Sequence, residues 1–367
     1  MKRRTLTGGE RTDWLRLSRT RGIGPITFFH LLERYGSASA ALEDLPELAK
    51  KAGGKAEIRA PSKDEIEREI ATAEKIGAAH RAACEPDYSA CLAAIDAPPP
   101  IVWTRGHREL LNRPAIAMVG ARDASAAGRK MARDLSRDLG EAGYVIISGM
   151  ARGIDGEAHA AAMETGTVAV LAGGINQIYP PQHEQLYGIL TQRACIVTEA
   201  PFGYVAQARD FPKRNRIISG LSLATVVVEA AEKSGSLITA RFALEQGREV
   251  MAVPGSPLDA RCRGANRLIK QGAALIESAD DVLNAMQGVS PPTFDEPGAD
   301  RFDPRDADVP PALLRAVREA LSPTPMPVAE IARAVDAPLR MVLAALVELE
   351  LAGVASTHVG GTASRVV

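Results

Sequence analysis

From residue 114 onward the chain alternates short, wholly apolar runs with stretches of helical periodicity. The apolar runs fall at Ala115–Val119, Tyr144–Ile147, Thr167–Leu171, Cys195–Val197, Ala224–Val228, Val250–Val253 and Ala273–Ile276. Helical patterns occupy Ala126–Glu141, Gly156–Glu164, Gln182–Gln192, Arg214–Leu221 and Leu237–Gln246. A strand that is apolar at every position is buried on both faces, so this alternation predicts an α/β domain: a Rossmann-like, doubly wound, mostly parallel sheet covered by helices on both sides.

The flanks read differently. Trp14-Leu15-x-Leu17, Thr27-Phe28-Phe29-x-Leu31-Leu32 and Asp64–Lys75 have helical spacing, until Ala97-Pro98-Pro99-Pro100 breaks the pattern before a short strand, Ile101-Val102-Trp103. Residues 289–310 carry five prolines and six acids and read as a linker. Beyond it come helices at Ala312–Leu321, Val328–Val335 and Leu339–Leu351, then Val354–His358, Gly360-Gly361 and Ser364–Val367. Three helices followed by a glycine hairpin is the order of a winged helix-turn-helix. The expected division is therefore a helical domain at 1–110, the Rossmann-like domain at 111–288, the linker at 289–310 and a winged helix at 311–367.

Composition narrows the partners. Of 367 residues, 46% are hydrophobic and 24% charged, and Lys+Arg 44 against Asp+Glu 45 leaves a net charge of -1. An anion site must then be a local concentration of donors rather than a global field. Cys84, Cys91, Cys195 and Cys262 form no C-x-x-C pair or tight cluster, which speaks against zinc or a disulfide framework and for a reducing cytoplasm. No apolar run reaches the length of a membrane span, and the first residues do not read as a signal peptide.

In an open α/β sheet, ligands bind where the loops leave the carboxyl ends of the strands. Those loops are unusual here. Val119-Gly120-Ala121-Arg122 follows the first strand and Ser148-Gly149-Met150-Ala151-Arg152-Gly153 the second, each joining close backbone approach to a fixed charge. Neither is G-x-G-x-x-G, and no P-loop exists, so a dinucleotide or nucleoside triphosphate lacks its usual support. The densest basic run is Phe211-Pro212-Lys213-Arg214-Asn215-Arg216; three cations at a helix start oppose the helix dipole, a conflict that a bound polyanion removes. Ser234-Gly235-Ser236 before the next helix offers hydroxyls and amides, with Ser236 or Ser234 the expected N-cap, and Gly255 lies in a further glycine-rich loop.

Chemistry is sparser. Asp155 and His159 stand four apart on one helix face and read as a structural pair. Glu199 and Glu229 close strands, where either could polarise water, and Cys195 reads as core. No nucleophile elbow or metal motif appears, so no catalytic residue, metal or cofactor is expected. The chain holds many groups for phosphate and few for acting on it. The direct reading is a polyanion bound across the strand-end loops. The alternative from another class is a nucleotide phosphoribohydrolase, although Pro254-Gly255-Ser256-Pro257 matches the loop of such enzymes poorly. In a third reading the winged helix is the working part, but basic and acidic residues balance across it and Leu339–Leu351 carries Glu348 and Glu350. Arg21-Gly22-Ile23-Gly24-Pro25 is a hairpin of helix-hairpin-helix type, or else a tight interhelical turn.

Together these segments resemble the DNA-processing protein A family (DprA/Smf) of bacterial natural transformation. The resemblance is carried by Val119-Gly120-Ala121-Arg122, Ser148–Asp155 with Ala158-His159, Ala172-Gly173-Gly174-Ile175, Ile178-Tyr179-Pro180, Phe211–Ile218, Lys233–Ala240, Val253-Pro254-Gly255 and Gly264-Ala265-Asn266. It implies a Rossmann-like domain that binds single-stranded DNA, forms a homodimer and loads the RecA recombinase, as an accessory factor rather than an enzyme. It also implies an N-terminal helical domain of SAM or helix-hairpin-helix kind. The family's phosphate pocket maps onto Gly120, Arg122, Gly149, Arg152, Gly153 and the Lys213–Arg216 run.

Overall fold

The computed structural model describes residues 3–51, 58–289, 309–358 and 361–366. They form two compact units.

The larger unit, Glu69–Asp295 by its limits, is built on a nine-stranded sheet. Its strands are β1 (Ala78–Ala82), β2 (Ile101–Gly106), β3 (Ala115–Val119), β4 (Val145–Ser148), β5 (Thr167–Val170), β6 (Cys195–Thr198), β7 (Ala224–Val227), β8 (Glu249–Ala252) and β9 (Ala274–Leu275). The order is β1-β2-β6-β5-β4-β3-β7-β8-β9, parallel from β6 through to β9 and antiparallel where β1 and β2 extend the edge. The chain leaves β3 in one direction as far as β6 and returns to its other side with β7, so the topological switch lies between β3 and β7.

Burial explains the strand composition. All five residues of β3 are buried, and Ile116, Met118, Ile146, Val226 and Met251 pack with Leu135 and Leu139 of α6 (Ala126–Glu141) in one core. Ser125 caps α6 by accepting a hydrogen bond from Gly128 N at 2.9 Å. The other helices of this unit are α7 (Ile154–Ala161), α8 (Glu184–Arg193), α9 (Asp210–Gly220), α10 (Ser236–Glu245), α11 (Arg263–Lys270) and α12 (Ala279–Ala285), with the short α5 (Ala90–Ala93) before β2.

The first domain limit differs from the expected 110. The division falls after Arg68, inside α4 (Lys63–Glu74), because β2 pairs antiparallel with β6, Trp103 opposite Thr198. Residues 69–110 thus complete the sheet instead of belonging to the helical domain.

The smaller unit joins the two ends of the chain, which were expected as separate domains. Helices α1 (Gly8–Arg19), α2 (Pro25–Tyr35) and α3 (Ala38–Lys51) combine with α13 (Pro311–Ala320), α14 (Val328–Ala334), α15 (Leu339–Leu351) and a three-stranded sheet of β10 (Met326–Pro327), β11 (Ala355–His358) and β12 (Thr362–Arg365). Val342, Ala345, Leu346 and Leu349 of α15 fill the winged-helix core. Val347, Glu348 and Leu351, outside that core, are buried as well. Arg34 Nη1 of α2 donates to Glu348 Oε1 at 2.9 Å, and Thr27 bonds Glu350. The hairpin glycine Gly22, at φ 84°, presents its Cα 'side-chain' face 3.6 Å from Glu350 O, measured from where a Cβ would stand. The acids of the expected recognition helix are therefore committed inside this unit. The expected linker at 289–310 lies mostly outside the described residues, as does Gly360. Among the described residues no helix is long and apolar enough to cross a membrane.

Candidate nucleic-acid interface

A cleft of about 830 Å³ opens at the carboxyl ends of β3, β4 and β7, at the switch point. Val119–Asp123, Ala231, Lys233–Ser236, Ile238 and Thr239 line it, together with Phe211, Arg214, Asn215 and Ile218 of α9.

Phe211 is the centre of the polar-aromatic surface. Its ring lies 5.1 Å from that of Tyr179, and the guanidinium carbons of Arg122 and Arg214 lie 5.5 Å and 6.0 Å from its centroid. Arg122 is exposed, and Tyr179 is 51% exposed. Tyr179 belongs to the site by position but was singled out in the sequence only within a motif; an exposed loop aromatic in a chain with 4% aromatics was the available signal. Arg261 and Lys233 also line the cleft.

The basic run on α9 does not act as one patch. Successive residues turn about 100° round a helix, so Arg214 and Arg216 lie about 200° apart. Lys213 is exposed to solvent. Arg214 is buried: Nη1 donates to Gly149 O at 2.6 Å and to Val170 O, and Nε to Asn215 Oδ1 at 3.2 Å. Burial lowers its pKa to about 10, opposed by the nearby Asp155 carboxylate. Arg214 thus holds the β4 and β5 loops together under the cleft, rather than standing free for phosphate. Arg216 points away altogether, donating to Ala97 O at 2.7 Å and pairing with Glu199. That corrects its reading as a phosphate ligand. Asn215 Nδ2 donates to Gly235 O at 3.2 Å and ties α9 to the Lys233–Ser236 stretch of the lining.

The glycines serve close packing. A Cβ on Gly120 would stand 2.6 Å from Ile154 Cγ1, and one on Gly149 would stand 2.5 Å from Arg214 Nη1. Gly153, at φ 75°, abuts the carbonyls of Ala121 and Arg122, which brings the loops after β3 and β4 together. Arg152 is exposed, 3.9 Å from Asp123, and lies off the cleft lining. Gly255 also lies off it: Asn266 holds its N and O at 3.1 Å and 2.8 Å, so its role is to close a loop on Cys262 and Asn266.

Ser234, Gly235 and Ser236 do line the cleft, with Ser234 Oγ 2.7 Å from Ser236 Oγ. Neither serine is the N-cap: Gly235 holds that position without a side-chain bond, and Ser236 begins α10. The amides of Leu237 and Ile238 already bond Ser234 O and Gly235 O.

Asp155 and His159 do not pair. Asp155 Oδ2 accepts from Gly149 N at 3.1 Å and Ala151 N at 3.2 Å, and burial raises its pKa despite Arg214. His159 Nδ1 bonds Thr167 Oγ1 at 2.7 Å, Nε2 has no partner, and burial pushes its pKa down to about 3. Glu229 accepts from Ser125 N at 2.9 Å and from Ser125 Oγ, so it fills the N-terminal end of α6 with an internal anion. Cys195 is buried core, its thiol pushed up to about 12. No group of three or more metal-ligating side chains gathers among the described residues.

A family profile described as DNA recombination-mediator protein A matches residues 80–287. A DprA-like N-terminal HHH domain matches 8–72, and a DprA winged helix domain matches 303–361. The chain is 39% identical over 269 residues to protein Smf of Escherichia coli, spanning 72% of this chain and 71% of that one. It is 43% identical over 202 residues to the DNA processing protein DprA of Bacillus subtilis, spanning 54% and 68%. The X-ray structure of DprA from Streptococcus pneumoniae is similar with a TM-score of 0.63 and 31% identity, over 77% of this chain and 98% of that one. DprA from Helicobacter pylori, whose structure is described for its single-stranded DNA binding mode, is similar with a TM-score of 0.50 and 26% identity, over 54% and 91%.

Proposed function

The chain belongs to the DNA recombination-mediator protein A family, and from that premise we propose that its strand-end cleft binds single-stranded DNA with little sequence preference. The observation that carries the reading is the Phe211–Tyr179 pair, with the Arg122 guanidinium 5.5 Å from Phe211 at the mouth of the cleft. The exposed Tyr179 ring, backed by the half-buried Phe211, stacks any base, and the exposed Arg122 beside them meets the phosphate that follows. Arg122 and Lys233 are the exposed cations of the cleft lining that contact the backbone, Lys213 stands exposed on α9 just off that lining, and Arg214, Gly149 and Gly153 hold the loops that present them.

In the same reading the protein is an accessory factor, a cytoplasmic homodimer that helps load RecA onto the strand it holds during DNA uptake. Family membership supports that role, and so does the commitment of Glu199 to Arg216 and of Glu229 to Ser125, which leaves neither acid poised to polarise water.

Fluorescence anisotropy of labelled oligonucleotides, single-stranded against duplex across a salt series, tests the site. Tighter single-strand binding that weakens in Phe211→Ala and Arg122→Ala supports it. Equal binding of both forms, or indifferent variants, removes the cleft as the site. The rate of RecA filament assembly on single-stranded DNA, with and without the protein, tests the loading role.

A further inference from the structure

The cleft has two flanks, and their charges differ. On the α6 side, Arg129 and Arg133 both pair with Glu157, at 3.7 Å and 2.8 Å. Lys130 pairs with Asp134, and Arg137 with Asp134 and Asp138 at 3.4 Å and 2.9 Å. That face is cationic in sequence and compensated in space.

The α11 side is not. Gly264, Ala265 and Leu268 bury one face of α11, which leaves Arg263, Arg267 and Lys270 exposed on the other. At about 100° per residue these three fall in a stripe about 60° wide, and at 1.5 Å per residue the stripe runs about 10 Å. Among the described residues none of the three pairs with a carboxylate. The stripe is also joined to the cleft wall. Gly264 N donates to Ala230 O at 2.7 Å, Arg267 Nη2 reaches Glu232 O at 3.4 Å, and the neighbouring Ala231, Lys233 and Arg261 line the cleft itself. A Cβ on Gly264 would stand 2.7 Å from both Ala230 O and Ala231 O, so glycine is what lets the helix lie this close to the wall.

We propose that a single strand longer than the cleft can hold leaves it over α11, with Arg263, Arg267 and Lys270 neutralising successive phosphates. This rests on the single-strand reading of the cleft and adds its direction and the extent of the footprint. A flexible polyanion follows uncompensated positive charge, and the paired cations of α6 offer it none without displacing Glu157 or Asp134.

The test uses the full chain and two oligothymidylates, about 4 and about 16 nucleotides long, spanning the site sizes of comparable grooves. The triple variant Arg263→Gln/Arg267→Gln/Lys270→Gln is compared with wild type and with Arg129→Gln/Arg133→Gln, and circular dichroism checks that each is folded. The proposal expects the triple variant to bind the short oligonucleotide as wild type does. For the long one, the log–log salt slope should shrink in magnitude by about 2, at roughly 0.7 per lost phosphate contact. The α6 variant should match wild type at both lengths. Equal weakening at both lengths, an unchanged slope for the long strand, or a larger effect from the α6 variant overturns the α11 path while leaving the cleft in place. Failure of the wild type to prefer single strands at either length overturns both.

Discussion

Ser125 and Glu229, 104 residues apart, meet at the first turn of α6, where Glu229 Oε2 accepts the Ser125 amide at 2.9 Å and Oε1 takes its hydroxyl. The helix end that binds phosphate in many α/β proteins carries a side-chain anion of its own here. Replacing Glu229 by Ala leaves that end uncompensated and frees the cap. The expected loss is about 1–3 kcal/mol of stability, read as a lowered urea midpoint at unchanged m-value. Single-strand affinity should change little in the folded variant.

Arg214 and Arg122 should separate fold from binding. Arg214→Ala strands Gly149 O and Val170 O and removes the buried cation nearest Asp155, so it should cost about 2–5 kcal/mol. Arg122→Ala removes an exposed side chain and should stay within about 0.5 kcal/mol of wild type, while lowering the magnitude of the salt slope by about 0.7. Thermal melts paired with anisotropy distinguish the two patterns.

The buried His159 sets an acid sensitivity. Its pKa of about 3 in the folded chain lies below its ordinary 6.5, from burial first and then from the positive charges of His183 and Arg214. The unfolded chain therefore binds the extra proton across that window. The stabilisation is complete above pH 6.5 and drains as pH falls toward 3, at about 1.4 kcal/mol per pH unit. Asp155, whose pKa burial raises, acts with the opposite sign, its contribution being lost as pH rises through that raised value. Urea midpoints measured from pH 7 down to about pH 5 should fall less steeply in His159→Gln than in wild type.

Glu348 is a fourth test, in the smaller unit. Its side chain is 3% exposed and pairs with Arg34 at 2.9 Å. Glu348→Ala leaves the half-buried Arg34 guanidinium without its carboxylate and should destabilise that unit by about 1–3 kcal/mol, whereas a surface acid there would cost almost nothing. Proteolytic susceptibility of α1–α3 should rise with it.

The parallel sheet was legible because its strands are buried on both faces: β3 and α6 were read at their observed limits, Ala115–Val119 and Ala126–Glu141. Strand β1 was not, since Ala-Ala-His-Arg-Ala has little strand character and is held in place by β2, Ala78 opposite Arg105. The loops of the cleft were legible as loops. Side-chain direction was not: adjacency in Lys213-Arg214-Asn215-Arg216 suggested one patch, while helical geometry sends Arg216 to Ala97 and Glu199. The engagement of the α15 acids Glu348 and Glu350 was equally invisible, because their partners Arg34 and Thr27 lie 314 and 323 residues upstream.

That separation orders events on the ribosome. Helices α1 to α3 leave the ribosome before the nine-stranded sheet, and the helix that buries Glu348 against Arg34 leaves after it, so α1 to α3 wait, incompletely packed, through synthesis of the whole sheet. The middle of the chain matures before its beginning, and a nascent chain stopped short of α15 would leave Arg34 without its acid and an apolar helical face open to chaperones.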